Sequence, residues 1–447
     1  MTSEQPSPPR PDTALSEPWC RWTWLVGLLA LVVRVIVVAV QPMTLLNDSA
    51  DYQRLAVSLA HGHGFGVTQI APGGGPTAFR PPLFPLAVGA LYKVIGVHVT
   101  GARLVEAMAG AIAVVLLTAV TWLLWGRSIG LTAGLVAAVF PPQLMASTSL
   151  MSESLALPLE MAVLLAAVAH RRSGRIGYAW GAGAGLGLLV LTRPSLAVLA
   201  VPVIVLLYRH RPSLRALAAA GVVVLAGVIV VTPWLVRDRL TMHAWIPLTT
   251  QDGYVLSGTY NAASATDPRF PGIWRPPFSV PSLQRLVAAH PHAGEVETST
   301  LLQSAALHYL RQHPSYEATV AVQNTLRVFD LAPLSETRLA TLTEYGYGAP
   351  WGNLEIVSCW AVLALAVAGV LTRTGRKAPI AIFLAPALLW LGTIVFQAVP
   401  RFRAVIDPFL IELAAVAIVS AARVATRRRQ HSAMPALQVT TVVSAAD

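Results

Sequence analysis

Long apolar runs, separated by short arginine-bearing joints, set the pattern of this chain. A bilayer span takes about 20 mostly apolar residues. Ten runs approach that length: 22–41, 102–125, 129–149, 152–169, 177–192, 195–208, 214–233, 354–371, 379–398 and 404–422. The run 195–208 is short and must borrow from its flanks to cross. Two long polar segments interrupt the series, 42–101 and 234–353. The first opens on an amphipathic run, Asp51 to Leu59, which predicts a helix. A glycine-rich turn follows (Gly62, Gly64, Gly66, Gly73 to Gly75), and then Arg80-Pro81-Pro82 opens a second apolar helix over 82–95. Proline suits a helix start, where its missing N–H costs nothing. This helix is too short and broken to span, and is expected along the outer interface. The second long segment predicts a turn-rich stretch over 249–278 and helices near 299–312 and 314–329. No internal repeat is visible. The tail Thr2 to Pro18 and the chain after Arg429 read as disordered.

Composition turns the pattern into a class. Of 447 residues, 55% are hydrophobic and 12% charged, about half the charge of a typical soluble domain. Mean hydropathy is +0.61. An ordinary soluble enzyme, a disordered chain and a collagen-like or disulfide-stapled protein are excluded, which leaves an all-α polytopic membrane protein. The net charge of +11 is carried almost wholly by arginine; only Lys93 and Lys377 are lysines. Nucleic acid is not the expected partner, because the charges sit in joints between apolar runs, as the positive-inside rule requires.

With the N-terminus in the cytoplasm, the inner joints carry Arg127, Arg171, Arg172, Arg175, Arg209, Arg211, Arg215, Arg373, Arg376 and Lys377, and the tail adds Arg423 and Arg427 to Arg429. The short outer joints carry only Arg193, Arg401 and Arg403. The expected organisation is a cytoplasmic tail over 1–21, a transmembrane catalytic region over 22–233 with its outer loop 42–101, a large outer loop 234–353, final spans over 354–422 and a cytoplasmic tail over 423–447. N-in and C-in, this places the polar segments outside the plasma membrane. The first run has no small-residue cleavage site after it and reads as a retained helix, not a signal peptide. Cys20 and Cys359 lie too far apart in the pattern to pair.

Candidate chemistry collects at the outer ends of the spans. Asn47-Asp48-Ser49-Ala50-Asp51-Tyr52 follows the first run, and two acids three residues apart share a helix face. They fit a general base, or Asp48 or Ser49 as a helix N-cap. Glu153 opens the fourth run, as a site acid or as a first-turn acid favoured by the helix dipole. Glu160, deeper in that run, reads as structural, paired with Arg34 or another span residue. Six arginines lie at outer span ends: Arg80, Arg193, Arg237, Arg239, Arg401 and Arg403. Some would snorkel to headgroups. Together they favour an anionic substrate, since the guanidinium fork matches phosphate. His61 and His63 are two ligands at most, too few for zinc. No P-loop or dinucleotide fingerprint is present.

These residues resemble the integral-membrane glycosyltransferases of the C superfold, in the family-39-like branch of protein O-mannosyltransferases and the lipid A aminoarabinose transferase. The resemblance is carried by Asp48 with Tyr52, Phe79-Arg80-Pro81-Pro82-Leu83-Phe84-Pro85, Phe140-Pro141-Pro142 and Met151-Ser152-Glu153. Leu191-Thr192-Arg193-Pro194, Thr232-Pro233-Trp234-Leu235-Val236-Arg237 and Pro400-Arg401-Phe402-Arg403, before Pro408-Phe409, complete it. It implies a polyprenyl-phosphate sugar donor, a protein, lipid or glycan acceptor hydroxyl, and inversion at the anomeric carbon. Asp48 matches the family's base, with Asp51 as a further candidate. Arg80 would hold the donor phosphate, with Arg401, Arg403 and Arg193 sharing that task; Tyr52 and Tyr254 would bind substrate. Phe79 stands where some relatives carry an acid. That leaves open a divalent metal, or a second acid that Glu153 could supply. A transporter or flippase of an anionic lipid-linked substrate is the alternative, though transporters often show repeats and midplane sites.

Overall fold

The computed structural model describes residues 19–68, 70, 74–208 and 213–432. Among these the chain is all helix, without a strand. It is a polytopic all-α membrane protein. Its helices are α1 (Arg21–Val40), α2 (Asn47–Ala60), α3 (Leu83–Ile95), α4 (Val99–Trp125), α5 (Arg127–Val139), α6 (Pro141–Ala146), α7 (Glu153–Ser173), α8 (Ile176–Thr192), α9 (Ala200–Leu207) and α10 (Leu214–Met242). There follow α11 (Gln251–Thr259), α12 (Ala262–Ala265), α13 (Pro281–Ala288), α14 (Glu295–Gln312), α15 (Ser315–Val328), α16 (Leu334–Tyr345), α17 (Ala349–Leu371), α18 (Ile380–Ile394) and α19 (Asp407–Ser432).

Six of these, α1, α4, α7, α10, α17 and α19, are long and apolar enough to cross a membrane; α3, α5, α8, the stretch Pro194–Leu207 and α18 are shorter apolar helices. All ten expected apolar runs therefore form helix, with changed ends. The run 129–149 breaks at Phe140, because Pro141 and Pro142 have no N–H to close the turn. The run 195–208 begins as a 3₁₀ turn, Pro194–Leu199. Pro233 does not stop α10, which continues nine residues beyond it to Met242. The run expected over 404–422 begins at Asp407, after a 3₁₀ turn over Pro400–Val405.

α4 and α7 pack on each other at the middle of the bundle, with α1 and α5 against α4 and α8 against α7; α10 packs on α8, and α17 on α19, which packs on α5. Membrane helices approach closely where residues are small. A Cβ at Gly183 of α8 would come within 2.3 Å of the Val223 carbonyl oxygen of α10, and one at Gly369 of α17 within 2.0 Å of that of Leu413 in α19. The expected Arg34–Glu160 pair is not made. Arg34 donates to Ser147 Oγ at 2.8 Å and to the carbonyls of Ala30 and Ala138. The Ala138 carbonyl is free because its helical partner would be Pro142, which has no N–H. Glu160 is fully buried with neither oxygen hydrogen-bonded.

Outside the bundle, α2 and α3 pack as a pair, and α11 packs on α14. The stretch 249–278, expected as turns, holds α11 and α12, and two unexpected helices appear, α13 and α16. The helices expected near 299–312 and 314–329 are α14 and α15. Cys20 and Cys359 are free. The tail Thr2 to Pro18 and the chain beyond 432 lie outside the described residues.

Candidate functional site

A cavity of about 550 Å³ opens where the long segments 42–101 and 234–353 meet the bundle. Asp48 and Tyr52 of α2, Arg80, Arg193, Glu344 of α16 and Arg401 line one part of it. Gln251, Asp252, Tyr254, Trp274 and Phe278 line another, and Leu389, Phe396 and Val405 make it apolar towards α18.

The charged part is a chain of ion pairs. Arg80 reaches Asp48 Oδ1 at 2.7 Å, and its Nε and Nη2 both bond Asp51 Oδ2, at 3.0 and 2.9 Å. Arg401 meets Asp48 Oδ2 at 2.6 Å, Glu153 Oε1 at 3.1 Å and Glu344 Oε2 at 2.8 Å. Arg193 pairs with Glu153 at 2.5 Å and donates to Ser152 Oγ at 3.2 Å. Arg80 also lies over the Tyr52 and Phe79 rings, and Arg193 and Arg401 over Phe402.

Local structure explains how these side chains are aimed. The helix starts earlier than expected, at Asn47 with Leu46 as its N-cap, so neither Asp48 nor Ser49 is the cap; Ser49 sits in the first turn, where its hydroxyl accepts from the Leu46 N–H and donates to the Leu46 carbonyl. Asp48 is thereby left to the arginines. Glu106 of α4 accepts from the N–H groups of Leu150 and Met151 and from Ser154 Oγ, at 2.8 to 3.0 Å. It holds a turn in which Leu150 takes φ +53°, a conformation that persists only where its surroundings enforce it. Glu153 leaves that turn beneath the cavity. Glu295 of α14 clamps the Arg80 segment. It accepts from Thr77 Oγ1 (2.5 Å), the Ala78 N–H (2.9 Å) and Thr250 Oγ1 (2.6 Å).

Burial alone would raise the Asp48 carboxyl, but the Arg80 and Arg401 guanidinium groups outweigh it and hold Asp48 well below the usual carboxylate range. Glu344 goes the other way. Burial raises it, with Asp48 and Glu153 adding repulsion that Arg401 only partly offsets. Burial also raises the Tyr52 phenol, with Asp48 contributing.

The structure thus brings Asp48, Tyr52, Arg80, Arg193, Tyr254 and Arg401 to one cavity, with Asp51 and Glu153 behind it as arginine partners. It does not bring Arg403. That side chain is fully buried, pairing with Asp330 at 2.6 Å and Asp407 at 2.9 Å. One residue, Phe402, separates it from Arg401 along a 3₁₀ turn, so the two point apart. Arg237 does not line the cavity either; it donates to the carbonyls of Thr77 and Phe65 and ties the first loop to α10. Arg239 lies over Trp245. His61 and His63 are exposed, their rings 6.1 Å apart. Glu344, Glu295 and Trp274 carry no signal in the sequence, since none sits in a motif or at a span end, whereas Asp252 lies in the stretch Gln251-Asp252-Gly253-Tyr254 of the long second loop, which reads as a cover over the site that binds acceptor. Among the described residues no three His, Cys, Asp or Glu side chains gather to hold a metal ion, and the carboxylates nearest the cavity's charged part are engaged by arginines.

Residues 79–236 match the sequence model of the dolichyl-phosphate-mannose-protein mannosyltransferases. The match takes in Arg80, Glu153 and Arg193, but not Asp48, Glu344 or Arg401. No curated protein sequence matches the chain. Among solved structures it is similar to the archaeal oligosaccharyltransferase AglB from Archaeoglobus fulgidus in complex with an inhibitory peptide and a dolichol-phosphate. The TM-score is 0.50 at 14% identity, over 93% of this chain and 52% of that one. The apo form of an Archaeoglobus fulgidus oligosaccharyltransferase gives 0.52 at 13% identity, over 92% and 52%. ArnT from Cupriavidus metallidurans, bound to undecaprenyl phosphate, gives 0.43 at 15% identity, over 92% and 80%. The chain spans about half the length of the archaeal enzyme. The likeness shows that the chain shares its fold with the region of the archaeal oligosaccharyltransferases that it matches.

Proposed function

We propose that the protein is a membrane glycosyltransferase that moves a sugar from a polyprenyl-phosphate donor to an acceptor hydroxyl at the extracytoplasmic face, with inversion. The observation that carries this is the pairing, on one cavity wall, of Asp48 with two arginines that can bind phosphate, beside an apolar flank for a prenyl chain. The fold likeness to an enzyme solved with a dolichol-phosphate, and the mannosyltransferase match over 79–236, support the same reading.

Arg80, Arg401 and Arg193 take the donor phosphate and stabilise the charge that grows on it as the glycosidic bond breaks. Asp48 takes the acceptor proton as the hydroxyl attacks the anomeric carbon from the opposite face. A carboxylate held this far down is a weak base. The arginines that hold it down are those the phosphate engages. Sharing them with the donor returns basicity to Asp48 when there is a sugar to transfer. Tyr52 and Tyr254 contact substrate from the two sides of the cavity. The acceptor is a protein, lipid or glycan hydroxyl, and membrane lipids surround the bundle.

Purified protein is incubated with a panel of radiolabelled polyprenyl-phosphate sugars, beside Asp48→Asn and Arg80→Ala. Label transfer, or slow release to water, by the wild type alone supports the reading and names the sugar. Binding of a lipid-linked anion without turnover, with movement across vesicles, would favour a flippase instead.

A further inference from the structure

The charges on the cavity wall do not balance in favour of an anion. Asp48, Asp51, Glu153 and Glu344 bring four negative charges; Arg80, Arg193 and Arg401 bring three positive ones. Arg54, which pairs with Asp51, is half exposed and screened. Arg401 alone is shared among three carboxylates. A phosphodiester entering this wall meets no spare cation.

One of the four acids is held less well than the rest. Each Asp48 oxygen has its own arginine, and Asp51 is gripped by two Arg80 nitrogens. Glu153 lies between Arg193 and Arg401 and is 1% exposed. Glu344 has Arg401 as its one ion-pair partner among the described residues, and its side chain faces the cavity. It is also the penultimate residue of α16, where the helix dipole opposes a negative charge. The groups facing it are Arg401, Asp48, Glu153 and Arg80, so repulsion and attraction reach it from α2, α7 and the Arg401 turn together.

We infer that Glu344 is the exchangeable ligand of Arg401, a carboxylate that the donor phosphate displaces and that takes up a proton when it does. This rests on the proposed use of the cavity for a prenyl-linked phosphate. The phosphate oxygen replaces the Glu344 carboxylate on the Arg401 Nη1 side, and Glu344, losing its cation beside a new anion, binds a proton from solvent. No bond to carbon changes in this step. Glu344 is a positioning residue, acting on the donor through Arg401. Burial already raises its carboxyl before any ligand arrives.

The test uses the detergent-solubilised full chain and a short-chain isoprenyl methyl phosphodiester, whose single charge does not titrate between about pH 4 and 9. Wild-type affinity is expected to fall as pH rises through the Glu344 range, approaching tenfold per pH unit. Calorimetry in buffers of different ionisation heat should show close to one proton taken up per ligand. Glu344→Gln should bind roughly tenfold more tightly at high pH, with the slope and the proton uptake abolished. Arg401→Ala should lose affinity. A wild type that binds through Arg401 without proton uptake overturns the role of Glu344 and leaves the phosphate reading intact; this needs no variant at position 344. Tighter binding that fails to appear in a folded Glu344→Gln does the same. No binding by wild type or Glu344→Gln overturns the phosphate reading and this inference with it.

Discussion

At the scale of single residues, the two arginines of Arg401-Phe402-Arg403 make the clearest contrast. The sequence offers them as equals, yet Arg401 faces the cavity while Arg403 is locked between Asp330 and Asp407, with Glu355 at 3.8 Å. Removing one partner of a buried ion cluster costs about 3–5 kcal/mol, because the others stay buried and charged. Arg403→Gln is therefore expected to lower the melting temperature and yield in detergent by that order. The folded fraction should keep the wild-type KM for donor. A selective rise in KM without a stability change would return Arg403 to the binding site. Asp48→Asn is the converse. Arg80 keeps Asp51, and Arg401 keeps Glu153 and Glu344, so the stability loss should fall below that range. Transfer should drop at least about a hundredfold, within the span typical for loss of a general base. Wild-type turnover in this variant would remove Asp48 from the chemistry.

At the scale of elements, hydropathy and helix punctuation make the membrane helices legible. α1 and α4 appear where an apolar run meets polar flanks, and Arg80-Pro81-Pro82 announces α3. The break between α5 and α6 is also written in the sequence, as two prolines, but a continuous apolar run hides it. α11 and α12 were not legible. Helices of nine and four residues are too short to hold themselves; α11 is fixed by burial against α14, a partner distant in sequence. For the same reason Glu295 went unnoticed: its three acceptor contacts tie α14 to Thr77, Ala78 and Thr250, and no local pattern encodes them. Glu295→Ala leaves a buried N–H and two hydroxyls without acceptors, at about 1–3 kcal/mol each where water cannot reach. It should loosen the Arg80 segment, raising donor KM several-fold and speeding proteolysis of the 249–295 region, with α-helix content retained. Unchanged protease sensitivity would show that other contacts hold this region. In the bundle, Gly183→Val puts a side chain against the α10 backbone at Val223. A loss of about 1–3 kcal/mol is expected, read as a fall in melting temperature.

At the scale of the whole molecule, the arginines serve two ends. Those in the short joints on one side of the bundle are spread over many loops. Those on the other converge, so that Asp48 and Arg401, 353 positions apart, share a bond. The convergence could not be read from one sequence, although the motifs that supply it could. The burial of the spans fits a bundle with a dry centre: α4 and α7 are 67% buried in their most apolar windows, against 28% for α10 and 33% for α17, whose exposed faces meet lipid. What joins the two arginine populations is orientation. In the orientation we propose from the positive-inside bias, the α17–α18 joint, with Arg373, Arg376 and Lys377, lies in the cytoplasm, and the cavity and α11 to α16 lie outside. In a chain with Cys20 and Cys359 replaced by alanine, His292→Cys should react with a membrane-impermeant maleimide on intact cells. Arg376→Cys should react only after permeabilisation. Both positions are exposed, so labelling reports sidedness and not burial. The reverse pattern would put the cavity on the cytoplasmic side, where nucleotide sugars are present and a lipid-linked donor has less to offer. The flippase reading would then gain over transfer, since the arginine cluster would meet the leaflet on which lipid-linked sugars are made.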